Sequence, residues 1–96
     1  MKVLGPDVRV TEGALAQIVV RAAEGVDGAR VKRPRRKVAI EIEGGHARVD
    51  VALAVAYGKV LPDVARGVQE EVSRALTRMC DVTVDAVDVS VEELDA

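Results

Sequence analysis

The chain has no phenylalanine and no tryptophan, and Tyr57 is its single aromatic residue. Aromatic side chains ordinarily supply much of the buried area of cores and interfaces. Here valine, alanine, isoleucine and leucine must do all the filling, which favours a thin sheet-and-helix packing and argues against a stacking platform for bases or sugars. Cysteine is almost as scarce: the lone Cys80 forbids an internal disulfide and fits a reducing compartment. The one histidine, His46, has no second histidine and no nearby cysteine, whereas a zinc site needs three or four ligands. No apolar run approaches the ~20 residues that cross a bilayer. The amino-terminal stretch from Met1 to Asp7 lacks the apolar core of a signal peptide. A net charge of −2 implies no polyanionic partner for the chain as a whole. These absences point to a soluble, cytoplasmic protein that reaches a membrane only through something that holds it there.

What is present is an apolar content of 49% in 96 residues, enough for one domain with a single modest core. That domain spans 1–96, with flexible ends at 1–7 and 92–96. Val8-Arg9-Val10 suits a short strand. Thr11 then suits a helix N-cap, with Glu12 favourable in the first turn. Leu15, Ile18, Val19, Ala22 and Ala23 fall at helical spacing, and Gly25 reads as a left-handed stop, giving a helix over 12–24. Val26 to Arg36 is a connection. Lys37 to Glu43 alternates with period two, and Gly44-Gly45 supplies the positive φ angles of a two-residue hairpin turn. Folding there sets Ile42 against Ala47, Ile40 against Val49 and Val38 against Val51. On the other face Glu43 meets His46 and Glu41 meets Arg48. The alternation runs on through Val49–Tyr57 and stops at Gly58. Pro62 then opens a second helix whose stripe is Val64, Val68, Val72, Ala75, Leu76 and Met79. Gly67 in its middle reads as a close approach to the sheet. Val87, Val89 and Val91 alternate with Asp88, Ser90 and Glu92 in a last strand. The order β-α-β-β-α-β predicts an α+β, two-layer sandwich with two helices on one face of a mainly antiparallel sheet.

Four segments carry a resemblance: Ala23-Glu24-Gly25-Val26-Asp27-Gly28; Val49-Asp50-Val51 through Ala56-Tyr57-Gly58; Pro62-Asp63-Val64-Ala65-Arg66 with Val68-Gln69-Glu70 and Val72; and Val87-Asp88-Val89-Ser90-Val91. In this order they resemble the alkaline shock protein family, the envelope-stress-response family of mainly Gram-positive bacteria. The resemblance covers roughly Val8 to Val91. It implies a non-enzymatic, cytoplasmic scaffold or adaptor that forms homo-oligomers and, in some species, docks on a small membrane-anchor protein, with no cofactor and no catalytic residue to carry over. Two departures stand out: a short basic segment, Gly28 to Lys37, replaces a longer glycine-rich connection, and Leu61 replaces isoleucine before Pro62.

The basic connection holds Arg30, Lys32, Arg33, Arg35 and Arg36, followed by Lys37. Three readings stand: a solvated loop opposing the acidic Glu92-Glu93-Leu94-Asp95, a contact with an anionic surface or acidic partner, and phosphate neutralisation by a small RNA- or nucleic-acid-binding module. Gly25-Val26-Asp27-Gly28 matches a bare G-x-x-G, but it follows a helix and leads to a strand, and Asp27 would repel phosphate. Ser73 in mid-helix and Ser90 on a strand lack a nucleophile elbow, so no enzyme is indicated. Ala52, Ala54 and Ala56, with Ala39, fall on the sheet face away from the helices, where Thr, Lys or Glu is usual. They form a candidate oligomer face; the alternatives are that a tail or bulge covers it, or that alanine is simply tolerated there.

Overall fold

A computed structural model describes residues 2–4, 8–32 and 38–95. The elements are β1 (Lys2–Leu4), β2 (Val8–Val10), α1 (Glu12–Glu24), β3 (Ala29–Val31), β4 (Val38–Glu43), β5 (His46–Ala56), α2 (Leu61–Cys80) and β6 (Thr83–Asp95). β5 is the central strand. β6 runs parallel to it along its whole length and so takes one edge; β3 and β4 share the other edge, both antiparallel. The sheet is mainly antiparallel, as the pattern predicts.

The hairpin follows the expected register at every pair from Val38↔Val51 to Glu43↔His46. Gly44 and Gly45 have φ of 57° and 79°, the pair of positive values that such a turn needs. A one-residue slip would turn Ala47, Val49 and Val51 out of the core, so the turn and the apolar pattern enforce one another. Val8–Val10 is a strand, but it pairs with Lys2–Leu4 in a separate two-stranded ribbon. Ala29–Val31, inside the predicted connection, is strand as well and pairs with Leu53–Val55. β6 continues to Asp95, so the stretch from Glu92 onward, expected to be a loose end, is paired with β5.

Thr11 caps α1, its Oγ1 accepting from the Ala14 N–H at 3.1 Å. Leu15, Val19 and Ala23 are the buried stripe. Gly25 is not left-handed: its φ is −72°, and the positive φ falls three residues later, at Gly28 (88°), where the chain turns into β3. In α2, Pro62 lies in the first turn, where no intrahelical acceptor awaits an N–H. The buried row is Val64, Val68, Val72, Leu76 and Cys80. Fourth-residue ridges are inclined to the helix axis, so the last turn presents Cys80 to the core and rotates the expected Met79 outward, leaving it 59% exposed. The close approach at Gly67 is to Val26 and not to the sheet: a Cβ there would lie 3.1 Å from Val26 Cγ1. Since Val26 follows the end of α1 and Gly67 lies near the start of α2, the helices run antiparallel.

The core is aliphatic apart from Cys80, centred on Leu53, Leu76, Val19, Val49, Val55, Val68 and Val72, and no charged or polar side chain is buried among the described residues. A polar tie between the layers runs from Gln69 Nε2 of α2, which donates to the Val87 carbonyl of β6 at 3.1 Å. Gln69→Ala strands that part-buried acceptor. It is expected to cost about 1 kcal/mol, read as a lower urea midpoint at unchanged m.

Candidate functional site

The sheet face away from the helices is built around the alanines of β5. Arg30, Ala54 and Glu93 stand in one cross-strand row, and Ala56 with Asp95 in the next. An irregularity in β6 creates these rows. The partner of Leu53 is Val91 but the partner of Ala54 is Glu93, one residue having been inserted. In unbroken register Glu92 and Leu94 would stand on this face. With the bulge, Glu93 and Asp95 do, while Leu94 turns to the helix side opposite Val55.

Because alanine is short, the long cations of the β3 edge reach over β5. Arg30 Nη2 and Nε lie 2.8 and 3.3 Å from Asp95 Oδ2, and the Lys32 ammonium pairs with Glu93. The Asp95 hydrogen bond and charge raise the Arg30 pKa further above its ordinary value. Two ion pairs therefore roof the stripe, and Ala54 is 0% exposed although no helix covers it. Ala52 is buried too, Ala56 is half-buried, and Ala39 is exposed. The expected flat apolar patch is thus closed at its centre. Of the basic connection, Arg30 and Lys32 face the acidic end of the chain; Arg33, Arg35, Arg36 and Lys37 lie outside the described residues.

The first and second motif-like segments meet at one end of the molecule. The Glu24 carboxylate accepts from the Val31 N–H at 3.0 Å. Gly28 accepts from the Ala56 N–H at 2.9 Å. A Cβ on Gly28 would lie 2.9 Å from Lys59 Cγ, so the Lys59 stem lies over the turn. The Lys59 ammonium continues to Asp27 and holds that carboxyl below its ordinary pKa through its hydrogen bond and charge. A carboxyl depressed in this way contributes stability above its unfolded pKa and loses it only as the pH falls through the lower, folded value. At neutral pH the pair is intact. Tyr57 donates its N–H to the Asp95 carbonyl at 2.6 Å, drawing the end of β6 to the same place.

This end carries exposed apolar side chains that the sequence reading missed. Tyr57 is 76% exposed, Val60 60% and Leu94 49%, and Leu61 is exposed beside them. Tyr57 and Val60 come from the β5–α2 connection, Leu61 opens α2, and the strand bulge decides where Leu94 points. The signal available in the sequence was the only aromatic residue of the chain, placed just where the strand ends.

Elsewhere the chemistry is sparse. His46 Nδ1 lies 3.0 Å from Asp85 Oδ1, a strand-end contact. Burial raises the Cys80 thiol pKa. Among the described residues no three His, Cys, Asp or Glu side chains are grouped to hold a metal, and no helix is long and apolar enough to cross a membrane.

Solved structures with this fold include forms of MamM CTD. A manganese form of one variant superposes with a TM-score of 0.59 at 21% identity, covering 86% of this chain and 99% of that one. A cadmium form of another gives 0.58 at 24%, over 84% and 94%. A zinc form of a third gives 0.58 at 22%, over 84% of each chain. At such identities the likeness is one of fold. No curated protein matches the chain. A family model does match residues 5–96, nearly the whole length, and includes all four segments that carry the resemblance. The chain belongs to the alkaline shock protein 23 family, described as having a cell envelope-related function.

Proposed function

We propose that the protein is a non-enzymatic scaffold or adaptor of the cell envelope, working by self-association and by contact with a partner protein that holds it at the membrane. The observation that carries this reading is the exposed apolar end formed by Tyr57, Val60, Leu61 and Leu94. A chain so poor in aromatics places its only one outside the core. Tyrosine is among the side chains that dominate contact energies, and clustered exposed apolar groups mark interaction sites. The envelope-related description of the family supports the setting. On the outer sheet face, Ala39 and the half-buried Ala56 add contact area at the margin of the ion-paired roof.

The nucleic-acid reading loses support at Arg30 and Lys32: both already face carboxylates, which a phosphate would have to displace.

Light scattering across protein concentration, at low and high salt, tests the proposal. A salt-resistant dimer or larger assembly is expected. Tyr57→Asp should weaken it by roughly 10–100-fold, the effect of losing a central aromatic contact, with far-UV circular dichroism unchanged. A strict monomer at every concentration overturns self-association.

A further inference from the structure

We infer that the groove between α1 and α2 is a docking site for an acidic amphipathic helix of a partner protein. This deepens the adaptor reading and rests on it. The groove, of about 610 Å³, opens on the helical layer, opposite to the sheet's outer face. Its floor is apolar, Ile18 and Ala22 from α1 and Ala75 from α2, with Met79 at its lip. Met79 is the exposed member, an unbranched and adaptable side chain standing in the open at 59%.

The rim decides the occupant. Arg21, Arg74 and Arg78 border the groove against one acid, Glu71, in a chain whose net charge is −2. Glu71 is already paired with Arg74 at 2.7 Å. Arg21 and Arg78 have no ion-pair partner among the described residues. Arg21 and Arg78 each complement the carbonyl end of their own helix. That accounts for either one singly, but not for their meeting Arg74 along one apolar trough. Because the helices are antiparallel, Arg21 and Arg78 lie toward opposite ends, so positive charge runs the length of the groove. Arg74 and Arg78 are one turn apart, matching acids spaced four residues apart on an incoming helix. A rod-shaped segment with an apolar face fills a trough between two helices, as in helix-in-groove recognition. A flat lipid surface does not reach its floor.

The test is a titration of the full-length, isotope-labelled protein with two synthetic helical peptides. They share one leucine face; one carries glutamate and the other lysine on the polar face. The glutamate peptide is expected to shift the amides around Ile18, Ala22, Ala75 and Met79, with affinity falling as salt rises. The double variant Arg74→Glu, Arg78→Glu should weaken it at least tenfold, and Met79→Glu likewise, while Met79→Leu retains binding; far-UV circular dichroism checks each fold. Equal binding of the lysine peptide, no localised shift with the glutamate peptide, or the same amides shifting instead with phosphatidylglycerol vesicles overturns the proposal. The oligomeric mass of the wild-type protein separates the two ideas. If the peptide result fails while self-association persists, the groove assignment falls and the adaptor reading stands.

Discussion

Leu53→Ala is expected to lower the stability of the domain by about 3–4 kcal/mol, with the thermal midpoint falling by roughly 15–25 °C. Leu53 is fully buried at the middle of the central strand, with Val31 on one side and Val91 on the other in register. Truncating it removes the transfer energy of its methyl groups and leaves a cavity. How much such a cavity costs depends on whether the neighbours relax into it. Here they are mostly valines and alanines. Valine holds one strongly preferred χ1 rotamer and alanine has nothing to extend, so the hole stays open. Calorimetry with a denaturant titration checks this. A loss under about 1 kcal/mol would mean that the aliphatic core is more pliable than its packing shows.

The second large effect lies on the opposite face of the same strand. Ala54→Glu is expected to destabilise the fold by an amount on the order of 3 kcal/mol. Ala54 has no accessible surface, and its cross-strand neighbours are Arg30 and Glu93. A carboxylate there must displace the Arg30–Asp95 and Lys32–Glu93 roof and stands beside Glu93. Exposed ion pairs contribute little by themselves, so most of the loss comes from overpacking and from a carboxylate added beside Glu93. Ala54→Ser, nearly isosteric, serves as the control. If Ala54→Glu leaves stability within about 0.5 kcal/mol but dissolves an assembly, the stripe is an open contact face in solution and the roof is not.

The difference between those two faces shows what a linear chain discloses about itself. The hairpin was legible because two independent constraints agree: glycines at 44 and 45 and matched alternation on either side of them. Helix α1 was legible from its cap and stripe. What escaped depends on contacts between distant residues. Ala29–Val31 is too short to show a period, and only pairing with Leu53–Val55 makes it a strand. Met79 and Cys80 are both apolar, and the tilt of the buried ridge chooses between them. Gly67 advertises a close neighbour without saying which. The roof joins residues 65 positions apart. It needs the bulge before Glu93, which no alternation rule places. The opposition of a basic connection and an acidic end was visible as composition; that it closes over Ala52 and Ala54 was not. The Tyr57 end was hidden for the converse reason, since nothing local says that an apolar residue beside a turn will stay uncovered.

That Tyr57 stands outside the core also governs what light can report about this molecule. With no tryptophan and its one phenol already facing solvent in the native fold, unfolding changes the surroundings of that ring very little. Ultraviolet emission will be nearly blind to the loss of the core. Anything that settles over the β5–α2 connection, by contrast, moves the chain's only aromatic chromophore from water into an apolar setting. The protein therefore carries an intrinsic optical reporter of association that stays quiet through folding, and far-UV or calorimetric readouts are the ones that follow the fold itself.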